Sequence, residues 1–238
     1  MKKIAVIPAR YAATRFPGKL MQLLGDKTVI TRTYESTVAT GLFDEVIIAT
    51  DSDIIQQEIQ QYGGKVVMTR SDHESGTDRI AEAVRDLEVD VIVNVQGDTP
   101  FVNGPALQKL LALFDDPSVQ VASLMDVISD PASLQDPNVV KVCVDKQMNS
   151  LFFSRSVIPY PRNTSINITH YRHIGVYGFR KASILQFTQW PVTPLEDAEK
   201  IECLRFLEHG ISLRMALTAP MGVDINTPED LEKAKTLL

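Results

Sequence analysis

Residues 4–19 read I-A-V-I-P-A-R-Y-A-A-T-R-F-P-G-K, an apolar run followed at once by a basic loop. Residues 4–7 are short and apolar, with β-branched side chains, which predicts a buried first strand. The loop at 8–19 starts where that strand ends. In open α/β sheets ligands bind beyond the C-terminal ends of the strands. The position of the loop therefore favours a binding function over a plain surface turn.

The same alternation of short apolar runs and helical patterns continues through the first half of the chain. Strands are predicted at 4–7, 45–49, 65–68 and 91–95, and helices at 27–40, 53–62, 76–87 and 105–114. This spacing is typical of right-handed βαβ units, so we expect a Rossmann-like α/β fold with a mixed, mostly parallel sheet flanked by helices. The polar segments 8–19, 69–79 and 96–100 would then meet at one crevice.

The pattern changes after about residue 120. Strands are predicted at 139–144 and 173–179, and helices at 196–208 and 227–238. Thr227 is the expected N-cap of the last helix, with Pro228 at its first position. We predict one domain over 1–238, with a smaller, partly antiparallel sugar-binding and dimerisation subdomain at approximately 125–195; its functional roles come from the resemblance described below.

Composition excludes several classes of protein. The chain has 238 residues and a net charge of −6, which argues against a nucleic-acid or anionic-membrane coat protein. Its two cysteines, Cys143 and Cys203, have no C-x-x-C spacing, so neither a disulfide scaffold nor a zinc site is expected. No apolar stretch approaches the roughly 20 residues of a membrane helix. We expect a cytoplasmic protein.

The basic loop carries Arg10, Arg15 and Lys19, with Gly18 where the backbone can approach a ligand closely. Forked guanidinium donors and a mobile ammonium suit a triphosphate. The sequence contains no G-x-G-x-x-G fingerprint and no P-loop. A solvated surface loop with scattered charge remains the alternative for these residues taken alone.

Asp98 ends the apolar run V-N-V-Q-G-D and would stand at the crevice. A carboxylate there suits Mg²⁺, which often takes one or two carboxylates together with substrate phosphates. An aspartate after Gly97 is also common in turns. The residues alone leave these two interpretations equal.

Beyond the basic loop, seven further segments occur in order along the chain: 69–79, 93–98, 137–142, 152–159, 173–180, 194–205 and 227–232. With these segments the chain resembles the 3-deoxy-manno-octulosonate (Kdo) cytidylyltransferase, or CMP-Kdo synthetase, family of sugar nucleotidyltransferases over its whole length. The resemblance implies transfer of CMP from CTP to Kdo, with release of pyrophosphate, for lipopolysaccharide synthesis. It also implies Mg²⁺ as cofactor and a homodimer formed through the smaller subdomain.

The resemblance also implies roles for individual residues. The expected catalytic residues are Arg10, Lys19 and Asp98. The expected nucleotide-binding residues are Pro8, Ala9, Arg10, Arg15, Lys19, Arg70, Ser75, Gly76, Thr77, Arg79 and Gln96. The expected sugar-binding residues are Arg155, His173, Tyr177, Glu196 and Glu199. The expected metal ligands are Asp98, Asp224 and Asn226.

Two positions depart from the family pattern. Asn226 stands where the family has its second metal-binding Asp, and Thr99 stands where it usually has Glu. Asp224 lies two residues before Asn226, so an extended chain would point both side chains to the same side. We expect Asp224 to supply the charge and Asn226 a neutral oxygen.

Other interpretations of single motifs stay open. Glu196, Glu199 and Glu202 recur every three residues and would also suit a solvated acidic stripe on one helix. His170 and His173 lack further ligands for zinc. For the whole chain, the alternatives are a nucleotidyltransferase for an amino-Kdo or sialic-type acid and a non-catalytic nucleotide-binding module.

Overall fold

The computed structural model describes residues 1–11, 16–219, 222 and 224–238. The chain divides into two compact units, residues 1–107 with 221–238 and residues 108–220. The second unit contains the stretch 125–195 that was predicted as a subdomain and extends beyond it on both sides. In the described part of the chain, no helix combines the length and apolar character needed to cross a membrane.

The first unit is built on a parallel sheet. Its strands and helices are β1 (Lys3–Ala9), β2 (Leu23–Leu24), β3 (Lys27–Thr28), α1 (Val29–Ala39), β4 (Glu45–Thr50), α2 (Asp53–Gln61), β5 (Lys65–Met68), α3 (Gly76–Val84), β6 (Val91–Asn94) and α4 (Gly104–Ala112), which runs into the second unit. β1 pairs in parallel with β4 and β6, and β4 pairs in parallel with β5. The predicted parallel α/β sheet is confirmed.

Local sequence explains where these helices begin. Ser52 caps α2, and Ser75 forms a capping box with Asp78 at the start of α3. Each cap satisfies backbone N–H groups that have no partner inside the helix. The helix predicted at 27–40 starts two residues later, because Lys27–Thr28 pairs with Leu23–Leu24 in a small antiparallel hairpin. Thr28 then caps α1.

The second unit carries a mixed, mostly antiparallel sheet. Its elements are β7 (Val121–Val127), α5 (Pro131–Gln135), β8 (Lys141–Val144), β9 (Ser150–Ser154), β10 (Tyr171–Arg180), α6 (Lys181–Phe187), α7 (Pro194–Glu199), α8 (Leu204–Glu208) and β11 (Arg214–Leu217). β7 is parallel to β11 and antiparallel to β10, β10 is antiparallel to β8, and β8 is antiparallel to β9. The C-terminal helix α9 (Pro228–Lys235) belongs to the first unit and is capped by Thr227 as predicted.

The single helix predicted at 196–208 is wrong. The structure has two short helices, α7 and α8, because Lys200 adopts a left-handed conformation with φ of 51° and ends α7. Glu202 therefore does not follow Glu196 and Glu199 on one helical face. The acidic stripe suggested by the spacing does not exist.

Candidate functional site

Three segments that follow β1, β5 and β6 meet at one place in the first unit. A Cβ added to Gly97 would lie 3.2 Å from the carbonyl oxygen of Pro8, and one added to Gly76 would lie 3.4 Å from its Cγ. Arg10 donates from Nη2 to the carbonyl oxygen of His73. The three polar segments therefore pack against one another, which confirms that they meet at the C-terminal strand ends; we call the place where they meet the crevice.

Lys19 and Asp98 form the charged centre of this crevice. The Lys19 ammonium makes an ion pair with Oδ2 of Asp98, and both side chains are only 18% exposed. The same ammonium lies 3.5 Å from Oδ1 of Asn226. Partial burial strengthens such a pair relative to one in open solvent, because fewer water molecules screen the charges.

Asp224 and Asn226 flank a buried residue and point away from the core. Ile225 is fully buried, and its N–H donates to the Asp98 carbonyl oxygen at 2.9 Å. Asp224 accepts a hydrogen bond from Oγ1 of Thr99 at 2.8 Å. The backbone at Ile225 thus lies beside Asp98. Asp224 and Asn226 flank Ile225 and lie on the side opposite to it, as the alternation of an extended chain predicts.

Carboxylate and amide oxygens are ligands that Mg²⁺ accepts. The ammonium of Lys19 already lies against oxygens of Asp98 and Asn226, so this donor set attracts a cation. Within the described residues, no group of three or more His, Cys, Asp or Glu side chains is close enough to form an all-protein metal cage. The donor set fits an ion that takes its remaining ligands from substrate and water.

The predicted base-binding residues lie around the start of α3. Ser75 is the N-cap of this helix, Gly76 is its first residue, and Thr77 is buried. Gln96 is the second residue after the end of β6. Pro8 and Ala9 are the last residues of β1. Arg70 differs from these residues because its side chain is 68% exposed and pairs with Asp72.

Arg79 is fully buried beside these residues. It donates from Nη1 to Oγ1 of Thr69 at 2.5 Å, and its Nη2 lies 3.3 Å from a carboxylate oxygen of Asp51. Burial lowers the pKa of its guanidinium, while Asp51 opposes that change. Nε makes no hydrogen bond with any residue that the structure describes. Arg15, the remaining predicted nucleotide ligand, lies outside the described residues.

The second unit contains a cavity of about 360 Å³ whose wall includes His173 and Tyr177. Nε2 of His173 is 3.0 Å from Oγ of Ser123, and its ring packs against Phe153 and Tyr177. Burial lowers the pKa of His173 to about 4. Burial is also the main cause that raises the pKa of Tyr177, with the neighbouring Cys203 contributing. Both side chains are therefore neutral at pH 7.

The other three predicted sugar-binding residues have structural partners in this unit. The guanidinium of Arg155 donates to backbone carbonyls, including that of Glu199 at 2.7 Å. The Glu199 carboxylate accepts from Ser154 Oγ at 2.6 Å and from the Arg155 N–H at 2.9 Å. Both oxygens of Glu196 accept from the buried guanidinium of Arg205. A role for these residues toward a sugar stays a prediction.

The sequence interpretation did not single out two buried charged groups of the second unit. Lys141 is fully buried, and Asp126 is buried against the guanidinium of Arg172, which lines the cavity. Lys141 lies inside the segment P-N-V-V-K-V, where a lysine in an otherwise apolar strand was an available signal. Asp126 follows five buried residues of β7 and carried a similar signal.

A family model described as "Cytidylyltransferase" matches residues 4–216. This chain belongs to the cytidylyltransferase family. A 3-deoxy-manno-octulosonate cytidylyltransferase from Flavobacterium johnsoniae is 52% identical to it, over 100% of this chain and 99% of that protein. A protein of the same name from Christiangramia forsetii is 51% identical, over 99% of this cytidylyltransferase and 96% of the relative.

Solved structures give the same assignment of fold. A CMP:2-keto-3-deoxy-manno-octonic acid synthetase complexed with CTP is 39% identical and superposes with a TM-score of 0.95, covering 100% of this cytidylyltransferase and 98% of that chain. A 4-diphosphocytidyl-2C-methyl-D-erythritol synthase from Anaerococcus prevotii superposes with a TM-score of 0.65 at 18% identity, covering 99% of this chain and 98% of that chain. The second likeness supports the fold alone.

Proposed function

We propose that this cytidylyltransferase transfers CMP from CTP to the anomeric hydroxyl of Kdo and releases pyrophosphate. The observation that carries the proposal is the ion pair of Lys19 with Asp98, in the segments that follow the neighbouring parallel strands β1 and β6, with Arg10 directly after β1. It occurs in a chain whose full-length relatives carry the name 3-deoxy-manno-octulosonate cytidylyltransferase. The product, CMP-Kdo, would serve lipopolysaccharide synthesis.

The chemistry is an in-line displacement at the α-phosphorus. The anomeric oxygen forms a bond to the α-phosphorus, the bond to the oxygen that bridges to the β-phosphorus breaks, and the hydroxyl proton passes to solvent. Such a transfer needs positioning and charge neutralisation rather than a covalent protein intermediate. Arg10 and Lys19 would hold the triphosphate and offset the charge that develops on the leaving pyrophosphate.

The oxygen-rich end of the crevice would hold Mg²⁺. Asp98 and Asp224 would supply carboxylates, and Asn226 a neutral oxygen. When bound, the ion neutralises negative charge on the triphosphate and its leaving group. Lys19, which contacts oxygens of Asp98 and Asn226 in this structure, would turn its ammonium toward phosphate oxygens once these two oxygens bind another cation.

The sugar acid would occupy the cavity of the second unit. His173 and Tyr177 on its wall are both neutral, so they can donate to and accept from sugar hydroxyls. The guanidinium of Arg172, held by the buried Asp126, gives the same wall a cation suited to a carboxylate. We also propose a homodimer formed through this unit and a cytoplasmic location.

A coupled pyrophosphate-release assay tests the proposal. CTP, UTP and ATP should be combined in turn with Kdo, its amino analogue and a sialic-type acid, with Mg²⁺ present. We expect release only with CTP, and the highest kcat/KM with Kdo. Preference for another acid would move the assignment to one of the alternative sugars, for which the departures at Thr99 and Asn226 leave room. Tight CTP binding without release from any acid would point to a non-catalytic module.

A further inference from the structure

The cavity of the second unit is bordered by two segments that are distant in sequence. We call residues 137–140 the first rim and residues 199–202 the second rim. Asn138, Val139 and Val140 line the cavity from the first rim, and Lys200, Ile201 and Glu202 line it from the second. Both rims lie outside the β-strands of this unit. The Val140 carbonyl oxygen accepts the N–H of His173 at 2.8 Å, but among the described residues no backbone hydrogen bond joins one rim to the other.

One guanidinium joins the two rims. Arg155 donates from Nη1 to the carbonyl oxygen of Pro137 at 2.8 Å, in the first rim. It donates from Nε to the carbonyl oxygen of Glu199 at 2.7 Å and from Nη2 to that of Lys200 at 3.3 Å, in the second. The planar fork of an arginine can make such contacts at once, whereas a lysine offers a single point of donation.

The fully buried ammonium of Lys141 holds the backbone of Arg155 in place. Lys141 donates from Nζ to the carbonyl oxygens of Asp136 at 3.0 Å and Val139 at 2.7 Å, and also to that of Arg155. Three acceptors match the three protons of an ammonium group. An ammonium buried without such partners would cost several kcal/mol, so this cage is the reason that a lysine is tolerated in the core.

We propose that Lys141 is a positioning residue for the sugar-acid cavity, holding the two rims at their separation through Arg155. The identity of the ligand rests on the function proposed above, whereas the coupling of the rims does not. Arg155 is not among the described residues that line the cavity. In this proposal it therefore affects the ligand indirectly, by holding the two rims. Glu199 completes the connection, because its carboxylate accepts the Arg155 N–H.

The test combines amide hydrogen exchange with steady-state kinetics on the full-length chain. The variants are Lys141→Met, which keeps the stem but removes the donors, and Arg155→Lys, which keeps the charge but loses the fork. Lys146→Met is the matched control, since Lys146 is exposed in the turn after β8. We expect faster exchange at both rims in the first two variants and unchanged exchange in β1 and β4. We expect KM for Kdo to rise about 10-fold or more, with KM for CTP and kcat within about 3-fold, as for lost positioning of one substrate.

Each outcome decides the proposal. Faster exchange in the first rim alone, or equal losses toward CTP and Kdo, would overturn it. If Lys141→Met does not fold, Arg155→Lys carries the same test. A wild-type protein that binds CTP but releases no pyrophosphate with Kdo would overturn the proposed function instead. The exchange measurements would still decide whether Lys141 couples the rims.

Discussion

Replacing Asp98 with Asn is the sharpest test of the proposed chemistry, because it changes one charge and almost no volume. The carboxylate of Asp98 pairs with Lys19 in the crevice, and its backbone carbonyl accepts the N–H of Ile225. The substitution leaves that backbone contact in place. It removes the anion that Lys19 faces and one of the two carboxylates that would hold Mg²⁺.

The two consequences differ in size. Loss of one preorganised electrostatic group costs about 100-fold or more in turnover, or roughly 2.7 kcal/mol in the barrier. The effect on folding is smaller: the side chains are 18% exposed and asparagine keeps an acceptor, so about 1–2 kcal/mol is expected. For a domain with stability of roughly 5 kcal/mol or more, over about 99% of the variant remains folded. The loss of turnover would therefore reflect chemistry rather than unfolding.

Pyrophosphate release at saturating CTP and Kdo, together with thermal unfolding, measures both effects. We expect the midpoint temperature of thermal unfolding of Asp98→Asn to fall by about 2–8 °C. Asp26→Asn is the matched control, because Asp26 pairs with Arg32 but is 80% exposed, and an exposed pair contributes at most about 1 kcal/mol. Near-normal turnover in Asp98→Asn would refute the role of this carboxylate.

Three further predictions follow from other contacts. Thr99→Val removes the donor that Asp224 accepts, and we expect about 10-fold weaker apparent Mg²⁺ affinity in a titration of CTP-bound protein, with little change in unfolding. Gly178→Ala would place a Cβ 2.6 Å from Cε2 of the buried Phe114. The free energy of unfolding, measured in urea, should therefore fall by about 1–3 kcal/mol. The folded pKa of His173 is depressed to about 4, so the unfolded chain binds the proton more readily and stability should fall as pH drops from about 6.5 to 4. His173→Gln should flatten that part of a stability–pH profile; an unchanged slope would contradict the assignment.

The parallel half of the fold was predictable because its signals are local. Each strand of the parallel sheet in the first unit contains a short apolar run, and Ser52 and Ser75 mark helix starts by their own chemistry. The N-terminal hairpin was missed because Lys27–Thr28 directly precedes the helical pattern. The break at Lys200 was missed for a different reason: a left-handed lysine is disfavoured locally and is maintained by tertiary contacts that periodicity does not contain.

Topology was also enough to bring together Pro8, Gly76 and Gly97, which lie in the three polar segments, since parallel strands end at one edge. The second unit was harder, because charge type does not reveal whether a side chain faces a ligand or a neighbour. Glu196 illustrates this: its spacing suggested a solvated carboxylate, whereas its oxygens accept from the buried Arg205. Only the position of Arg205, nine residues later and across a helix break, reveals this pairing, and the sugar-binding role that the resemblance implies for Glu196 stays a prediction.

One departure from the family pattern contacts Asp224, the residue that we expect to compensate for the other departure. Thr99 stands where the family usually has Glu, and its hydroxyl donates to Asp224. A glutamate at 99 is an acceptor only when ionised, so it would repel Asp224 rather than orient it. Asn226 stands in place of the second family Asp, so the carboxylates beside it in this chain are those of Asp98 and Asp224. If Asp224 binds the divalent ion as proposed, the charge moves by two residues along the chain, which keeps it on the same side of an extended segment.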